Sequence, residues 1–412
     1  LAHYEDALAV AGSPIPTDLL MHISGDLGNH GHLAEIIRIV VPRFDLDQHG
    51  VLVGNNIIKA YCDLGLVDEA REILDELYSR RRPDWQKTLR FWDGVLEKAS
   101  LNRRPIPDPE KLSVMMLMLP APLWARDQSP FATLLPTKEE DAPEVCFFGS
   151  VIIKEQISED GRAQLADGPG RLSRVVPLIL AEHLQIYSNA RATTIIPWVQ
   201  TQGFAVFPSR HSDEALVRLG DGSDRRLSYA AGITVEVVDS SWDLTVRLLR
   251  LTDEACIGEW RRRANGDPGD AVMDLINEVL ICLGNEAPIQ LQDAPGWYRP
   301  LTGTAFSNQL LRLEQQLAVY MNGQEDIEGS GLSGQREILE GILHLCVEHP
   351  GNVLSRIMLG QTLRLIGKSN PDVAAEFAPK IARLEQSNRL DSKAGALVAE
   401  VIRGEILPHL GH

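Results

Sequence analysis

The 412-residue chain has no apolar run of the roughly 18–20 residues that a membrane-spanning helix needs. Its longest, Val114 to Leu123, is too short and contains Pro120 and Pro122, so no membrane span is expected. The opening residues Leu1-Ala2-His3-Tyr4-Glu5-Asp6 lack the basic and apolar regions of a signal peptide. A chain that opens on leucine still leaves a removed leader open. Cysteine is sparse: Cys62, Cys146, Cys256, Cys282 and Cys346 make an odd number with no CxxC pair. That argues against a disulfide or zinc framework. Four of them sit in apolar stretches, where cysteine acts as a small buried hydrophobe, and a reducing, cytoplasmic setting is expected. Positive charge is also short. Lys and Arg number 40 against 57 Asp and Glu, a net charge of −17. A nucleic-acid partner needs a basic face. The only dense basic clusters are Arg80-Arg81-Arg82 and Arg261-Arg262-Arg263, each read as a solvated helix end or strand edge. What remains is ordinary globular composition, 44% hydrophobic and 24% charged, with length for two or three domains.

A repeat marks the N-terminal part. Gly31 and Gly65 lie 34 residues apart, and at that offset Ile23 matches Ile57, Leu27 matches Tyr61, Ile36 matches Ala70 and Val40 matches Leu74. In the second unit an apolar helix ends at Leu64-Gly65, where glycine supplies a left-handed cap. A second helix follows, with Asp68 and Glu69 in its first turn, where carboxylates favour the helix dipole. On Tyr61, Gly65, Ala70 and Pro83 this segment resembles a tetratricopeptide repeat (TPR), although Gly54 stands at the family's first aromatic position. A third helix, Trp85 to Leu101, carries Val95 and Ala99 at the tyrosine and glycine positions and reads as a cap. The C-terminal part is similar: His349-Pro350, Leu359-Gly360, Leu363 and Gly367 stand at TPR-like offsets. Ala374 and Ala375 are displaced by about two residues from the pattern, and a simple helical bundle is the alternative.

Two proline-rich junctions bound the middle: Pro105, Pro107, Pro109, Pro120 and Pro122, then Pro288, Pro295 and Pro300. Between them the apolar period changes from 3.6 to 2. The expected elements are a strand at Val145–Ile153, a helix at Arg171–Tyr187, a strand at Thr193–Val199 and a short helix at Ser212–Leu219. A hairpin of Ile233–Val237 with Trp242–Leu248, a strand through Ile257 and Trp260, and a helix at Ala271–Leu283 follow. The order β-α-β-α-β-β-β-α implies a mixed sheet with helices on one face. With Arg171-Leu172-Ser173 opening a helix, Ala231-Gly232-Ile233 opening a strand and Trp260 before a closing helix, Val145 to Leu283 resembles the TolB amino-terminal domain. That resemblance implies an interaction module and no catalytic residues.

The chemical motifs read as structure. Gly329-Ser330-Gly331-Leu332-Ser333-Gly334 fits GxGxxG, but it follows acidic residues and a helix, where a dinucleotide site needs a strand and no repelling carboxylates. His30 and His32, with Asp26, fall short of the three or four converging ligands a metal needs. Asp221, Ser223 and Asp224 lack the twelfth-position Glu of a calcium loop. His211-Ser212-Asp213 holds triad residue types only as sequence neighbours, and Ser150 after Gly149 is no GxSxG elbow. Trp297-Tyr298 reads as domain-junction packing, with an exposed partner anchor as the alternative.

The expected fold class is multidomain α and α/β: TPR-like helical repeats at both ends around a central mixed-sheet α/β domain. The parts are residues 1–110, 111–290 and 300–412, with a central module that folds alone as 121–290. The expected function is that of a non-enzymatic scaffold or adaptor binding a protein or peptide, with no cofactor, no metal and no nucleic acid. Helical spacing places Asn55, Asn56, Lys59 and Asp63 on its groove. A ligand-sensing or enzymatic central domain, or helical arms with a purely structural role, are the alternatives. Oligomeric state is not legible.

Overall fold

A computed structural model describes residues 2–12, 14–103, 114–154, 168–200, 203–221, 227–239, 241–286, 288–324, 332, 334–387, 390 and 392–410. The chain forms two compact units, Leu1–Pro109 and Glu110–His412.

The first unit is helical: α1 (Ala2–Ala11), α2 (Thr17–Asn29), α3 (Leu33–Glu35), α4 (Leu46–Asp63), α5 (Val67–Ser79) and α6 (Gln86–Arg103). Helix α3 runs on through a π turn, Ile36–Val40, and a 3-10 turn, Val41–Arg43. The 34-residue repeat is visible in the hydrogen bonds. After α2, His32 N donates to Leu27 O at 2.8 Å and Gly31 N to Gly28 O at 3.1 Å. After α4, Leu66 N donates to Tyr61 O at 2.8 Å and Gly65 N to Cys62 O at 3.0 Å. Gly31 and Gly65 carry φ of 72° and 77°, the left-handed conformation that closes a helix without a Cβ penalty. Helix α4 packs on α2, α5 and α6. Asp45 caps it by accepting from Gln48 N at 2.8 Å, worth about 1 kcal/mol. Val53, Ile57 and Ala60 face one apolar core with Leu20, Ile23 and Leu27. Ile58 faces another with Ala70, Leu74 and Leu77.

The second unit holds a sheet of β1 (Val114–Pro120), β2 (Glu144–Ile153), β3 (Arg191–Val199), β4 (Gly203–Phe204), β5 (Tyr229–Val238), β6 (Ser241–Arg250) and β7 (Ala255–Ala264). Its order is β1-β3-β2-β5-β6-β7, with β4 on β3. Strand β2 lies parallel to β3 and β5, and the outer pairings are antiparallel. Helices α7 (Gly168–Tyr187), α8 (Asp213–Asp221) and α9 (Gly269–Gly284) accompany it. Strand β2 is apolar along most of its length and buried on both faces, as a central parallel strand must be. Its Val145 and Phe147 join α7 and α9 in the main core. Cys146 and Phe148 join Ile195, Leu249 and Leu216 of α8 in a smaller one. The helices therefore do not all lie on one face, as the element order suggested. The connections from β2 to β3 and from β3 to β5 run to opposite sides of β2, and their helices fall on opposite faces. Gly149 lets α7 approach β2: a Cβ there would stand 2.2 Å from the Ser173 carbonyl oxygen.

Helices α10 (Gly303–Asn322), α11 (Gln335–Glu348), α12 (Val353–Ser369), α13 (Pro371–Ser387) and α14 (Lys393–Val401) complete this unit. Helix α12 is buried on all sides. The Arg356–Glu385 ion pair ties it to α13, and Gln316 Nε2 of α10 donates to Thr362 Oγ1 at 3.1 Å. Gln361 Nε2 donates to Arg126 O at 3.0 Å, and the Phe131 ring sits where a Cβ on Gly360 would fall. One hydrophobic core runs from the sheet through α10 into α12 and α13. The stretch 121–290, expected to fold alone, thus leaves part of its core to be completed by residues beyond 300. The proline-rich junction near 288–300 is docked on α7, which removes the linker character its composition suggested.

Candidate functional site

The groove residues expected from the repeat all lie on α4, yet the structure divides them. Asn55 Oδ1 accepts from Trp92 Nε1 of α6 at 2.6 Å. Asn56 Nδ2 donates to Ser24 Oγ of α2 at 2.9 Å. Trp92 and Ser24 are buried, so both asparagines satisfy buried polar atoms on neighbouring helices. Lys59 and Asp63 point outward and pair with each other, their side chains 58% and 44% exposed. Such an exposed pair stabilises by at most about 0.5 kcal/mol, which leaves both charges open to exchange partners. The asparagine bonds set α2, α4 and α6 side by side, with α5 behind α4 and α6.

The wall these first helices make has further exposed members that periodicity did not single out. Leu52, seven residues before Lys59 and on the same face of α4, is 58% exposed. Met21 stands one 34-residue repeat before Asn55 and is also exposed. Phe91, 62% exposed, lies on the side of α6 turned away from Asp93, which pairs with Arg71 of α5. Exposed apolar side chains and a labile ion pair on one helical wall suit an amphipathic peptide. In the sequence Met21 stands at the repeat position of Asn55 and Leu52 two helical turns before Lys59, but their exposure is visible only in the structure.

The remaining motifs resolve into local structure. His211 stacks on Phe148 at 3.9 Å between ring centroids, with Nε2 3.2 Å from Gly149 O. Ser212 Oγ accepts from Ala215 N at 3.2 Å, and Asp213 takes two bonds from Arg247 at 2.8 and 2.7 Å. The three residues serve three separate partners. Ser150 has φ of 60°, at the irregularity between Phe148 and Val151 in the pairing of β2 with β5. His30 Nδ1 lies 2.9 Å from Asp26 O, and among the described residues no three metal-ligating side chains converge. Most of the glycine motif 329–334, and Gly222 to Asp224 of the acidic loop, lie outside the described residues. Arg80 and Arg82 pair with Asp47 and Asp84 at the end of α5. Arg261 and Arg263 on β7 share Asp243, whose carboxyl is held down to about 2 by those guanidiniums. Among the described residues no helix is long and apolar enough to cross a membrane.

One titratable cluster is fully enclosed. Glu182 and His183 of α7 are each about 2% exposed. Tyr298 donates to Glu182 Oε1 at 2.8 Å, while His183 stacks on Tyr187 at 5.8 Å and meets Tyr298 edge-on. His183 Nδ1 lies 2.9 Å from Ile179 O. Burial raises the Glu182 carboxyl to about 7, against the opposing hydrogen bond from Tyr298. Burial lowers His183 to about 4. His183 is therefore neutral at physiological pH, and Glu182 keeps its proton through the mildly acidic range and loses it around pH 7. Trp297 packs edge-on against Trp124, and the pair Trp297-Tyr298 belongs to this packing and not to an exposed anchor. The cluster fastens the 288–300 segment to α7.

No family model matches the chain, and no curated protein matches it in sequence.

Proposed function

We propose that the chain is a non-enzymatic scaffold or adaptor that binds a protein or peptide partner on the wall formed by α2, α4 and α6. The observation that carries this reading is the side-by-side placement of the three first helices, fixed by Asn55–Trp92 and Asn56–Ser24. Together with the matching turns after α2 and α4, it supports the likeness to a TPR module. In such a module the first helices present the binding surface. Lys59 and Asp63 remain partner-contacting residues, joined by Leu52, Met21 and Phe91. Asn55 and Asn56 act as positioning residues that hold the wall together. The strand and helix order of the second unit supports the likeness to the TolB amino-terminal module. Helix α12 is enclosed, so the C-terminal helices are read as part of that unit's body and partner binding is assigned to the first unit.

Peptide display against the full chain tests the assignment. Selected peptides should bind the wild type and lose about tenfold or more in affinity to a Leu52→Asp, Lys59→Glu variant. No enrichment, or peptides that bind both proteins equally, would remove the wall from the account.

A further inference from the structure

The second unit has a cleft of about 180 Å³ over the first turns of α7, lined in part by Leu172, Val175, Trp242, Leu310, Arg171 and Glu314. Its walls are mostly apolar. Its charges are arranged unevenly. Arg174, 2% exposed, gives Glu314 Oε1 two bonds, at 3.0 Å from Nε and 2.6 Å from Nη2. Asp267, behind the rim residue Ser307, is already engaged by the Ser307 hydroxyl and by Gly269 N at 3.0 Å. Arg171 reaches Glu314 Oε2 only at 4.0 Å, with its side chain 40% exposed. Among the described residues that is the closest carboxylate it has. Arg312, one residue beyond the lining residue Leu311, has its pKa lowered first by burial and then by the charge of Arg171. Among the described residues the neighbourhood therefore holds three guanidiniums, Arg171, Arg174 and Arg312, against two engaged carboxylates, Glu314 and Asp267, in a chain whose net charge is −17.

We propose that this cleft binds a small organic anion, an apolar monocarboxylate whose carboxylate pairs with Arg171 and whose body lies between Trp242 and Leu310. An arginine–carboxylate pair is planar and bidentate, and Arg171 can form it without breaking the Arg174–Glu314 pair. The apolar walls exclude water from the ligand body, and the cleft volume restricts the ligand to one ring or a short chain. An uncharged ligand of the same shape gains only the apolar contacts. A cationic one meets Arg171 as a like charge. The site is separate from the partner-binding wall, so the two readings stand or fall independently.

Calorimetry on the full-length protein with benzoate, hexanoate, benzyl alcohol and benzylamine tests the proposal. For benzoate or hexanoate, one saturable site with a Kd near about 1 mM or tighter is expected. Benzyl alcohol should bind about tenfold more weakly, and benzylamine should not bind. Arg171→Gln should weaken the carboxylates about tenfold. The more drastic Arg171→Glu should abolish them, while Arg210→Glu on the far side of the sheet leaves them unchanged. The residue is half-exposed, and circular dichroism and melting of both Arg171 variants should match the wild type. Absence of saturable carboxylate binding in the wild type would overturn the proposal. So would benzylamine binding as well as benzoate, or full benzoate affinity in both folded Arg171 variants.

Discussion

Replacing Glu182 by Gln should make the second unit more stable at alkaline pH than at acidic pH, relative to the wild type. Glu182 is buried, and its pKa rises from an ordinary 4.5 to about 7. At pH values between these limits the folded state keeps a proton that the unfolded state has lost. Wild-type stability therefore falls as pH rises through that window, and levels off above the folded value. At about 1.4 kcal/mol per pH unit, the full span corresponds to about 3 kcal/mol. Gln carries no titrating proton. Its oxygen can still accept from Tyr298, but its amide hydrogens lack the acceptor they need, at a cost of about 1–2 kcal/mol that does not vary with pH. The variant should thus be slightly less stable than the wild type near pH 4.5 and clearly more stable above pH 7. His183, which stays neutral in the fold because burial lowers its pKa to about 4, destabilises both proteins as pH falls below its ordinary 6.5. It cancels in the difference. Urea unfolding followed by near-ultraviolet dichroism, from about pH 5 to pH 8, gives that difference directly. A difference that is flat with pH, or that grows toward acid, would refute the burial argument.

Five other perturbations probe the packing. Ala70→Leu should cost about 1–3 kcal/mol by overpacking the contact between α4 and α5, read as a lower urea midpoint for the first unit. Asn56→Ala should destabilise that unit by about 1 kcal/mol, because it removes the bond to Ser24 Oγ while the Ser24 hydroxyl keeps Met21 O as its acceptor. Lys59→Ala should change stability by no more than about 0.5 kcal/mol. A fragment of residues 110–290, which keeps the sheet but not α10 to α14, should lack near-ultraviolet dichroism or precipitate, since α10 and α12 complete its core; a folded, monomeric product would contradict the shared core. Glu385→Gln should cost about 3–5 kcal/mol by leaving Arg356 buried without its counter-charge, measured by the thermal midpoint of the full chain.

Much of the secondary structure was legible in the sequence because its signals are local. Strand β2, the β5–β6 hairpin and helices α5, α7 and α9 announce themselves by period, caps and turn residues, and the 34-residue offset marks the turns after α2 and α4. Strand β1 was not legible. Pro120 and Pro122 made Val114 to Leu123 look like a linker, yet Pro120 ends an edge strand, where a missing N–H costs little. The face of α8 was hidden because it depends on which side of β2 the chain crosses, not on α8 itself. Periodicity placed Asn55 and Asn56 on the polar side of α4 but could not show that Trp92 and Ser24 would claim them. The Glu182–Tyr298 and Arg174–Glu314 contacts join residues 116 and 140 positions apart. Such separations carry no local signal. The proline-rich stretch near 288–300 has the composition of a flexible linker, and only the docking of Tyr298 on Glu182 shows that it is not one.

Site-specific photo-crosslinking in the native cell measures the central proposal most directly. A benzophenone side chain at position 59 or 52, on the wall of α4, should give the same defined adduct, suppressed by Asp63→Lys. The same side chain at position 76, exposed on α5, should give none. Equal crosslinking from positions 59 and 76, or no adduct from either wall position, would contradict a partner bound on α2, α4 and α6.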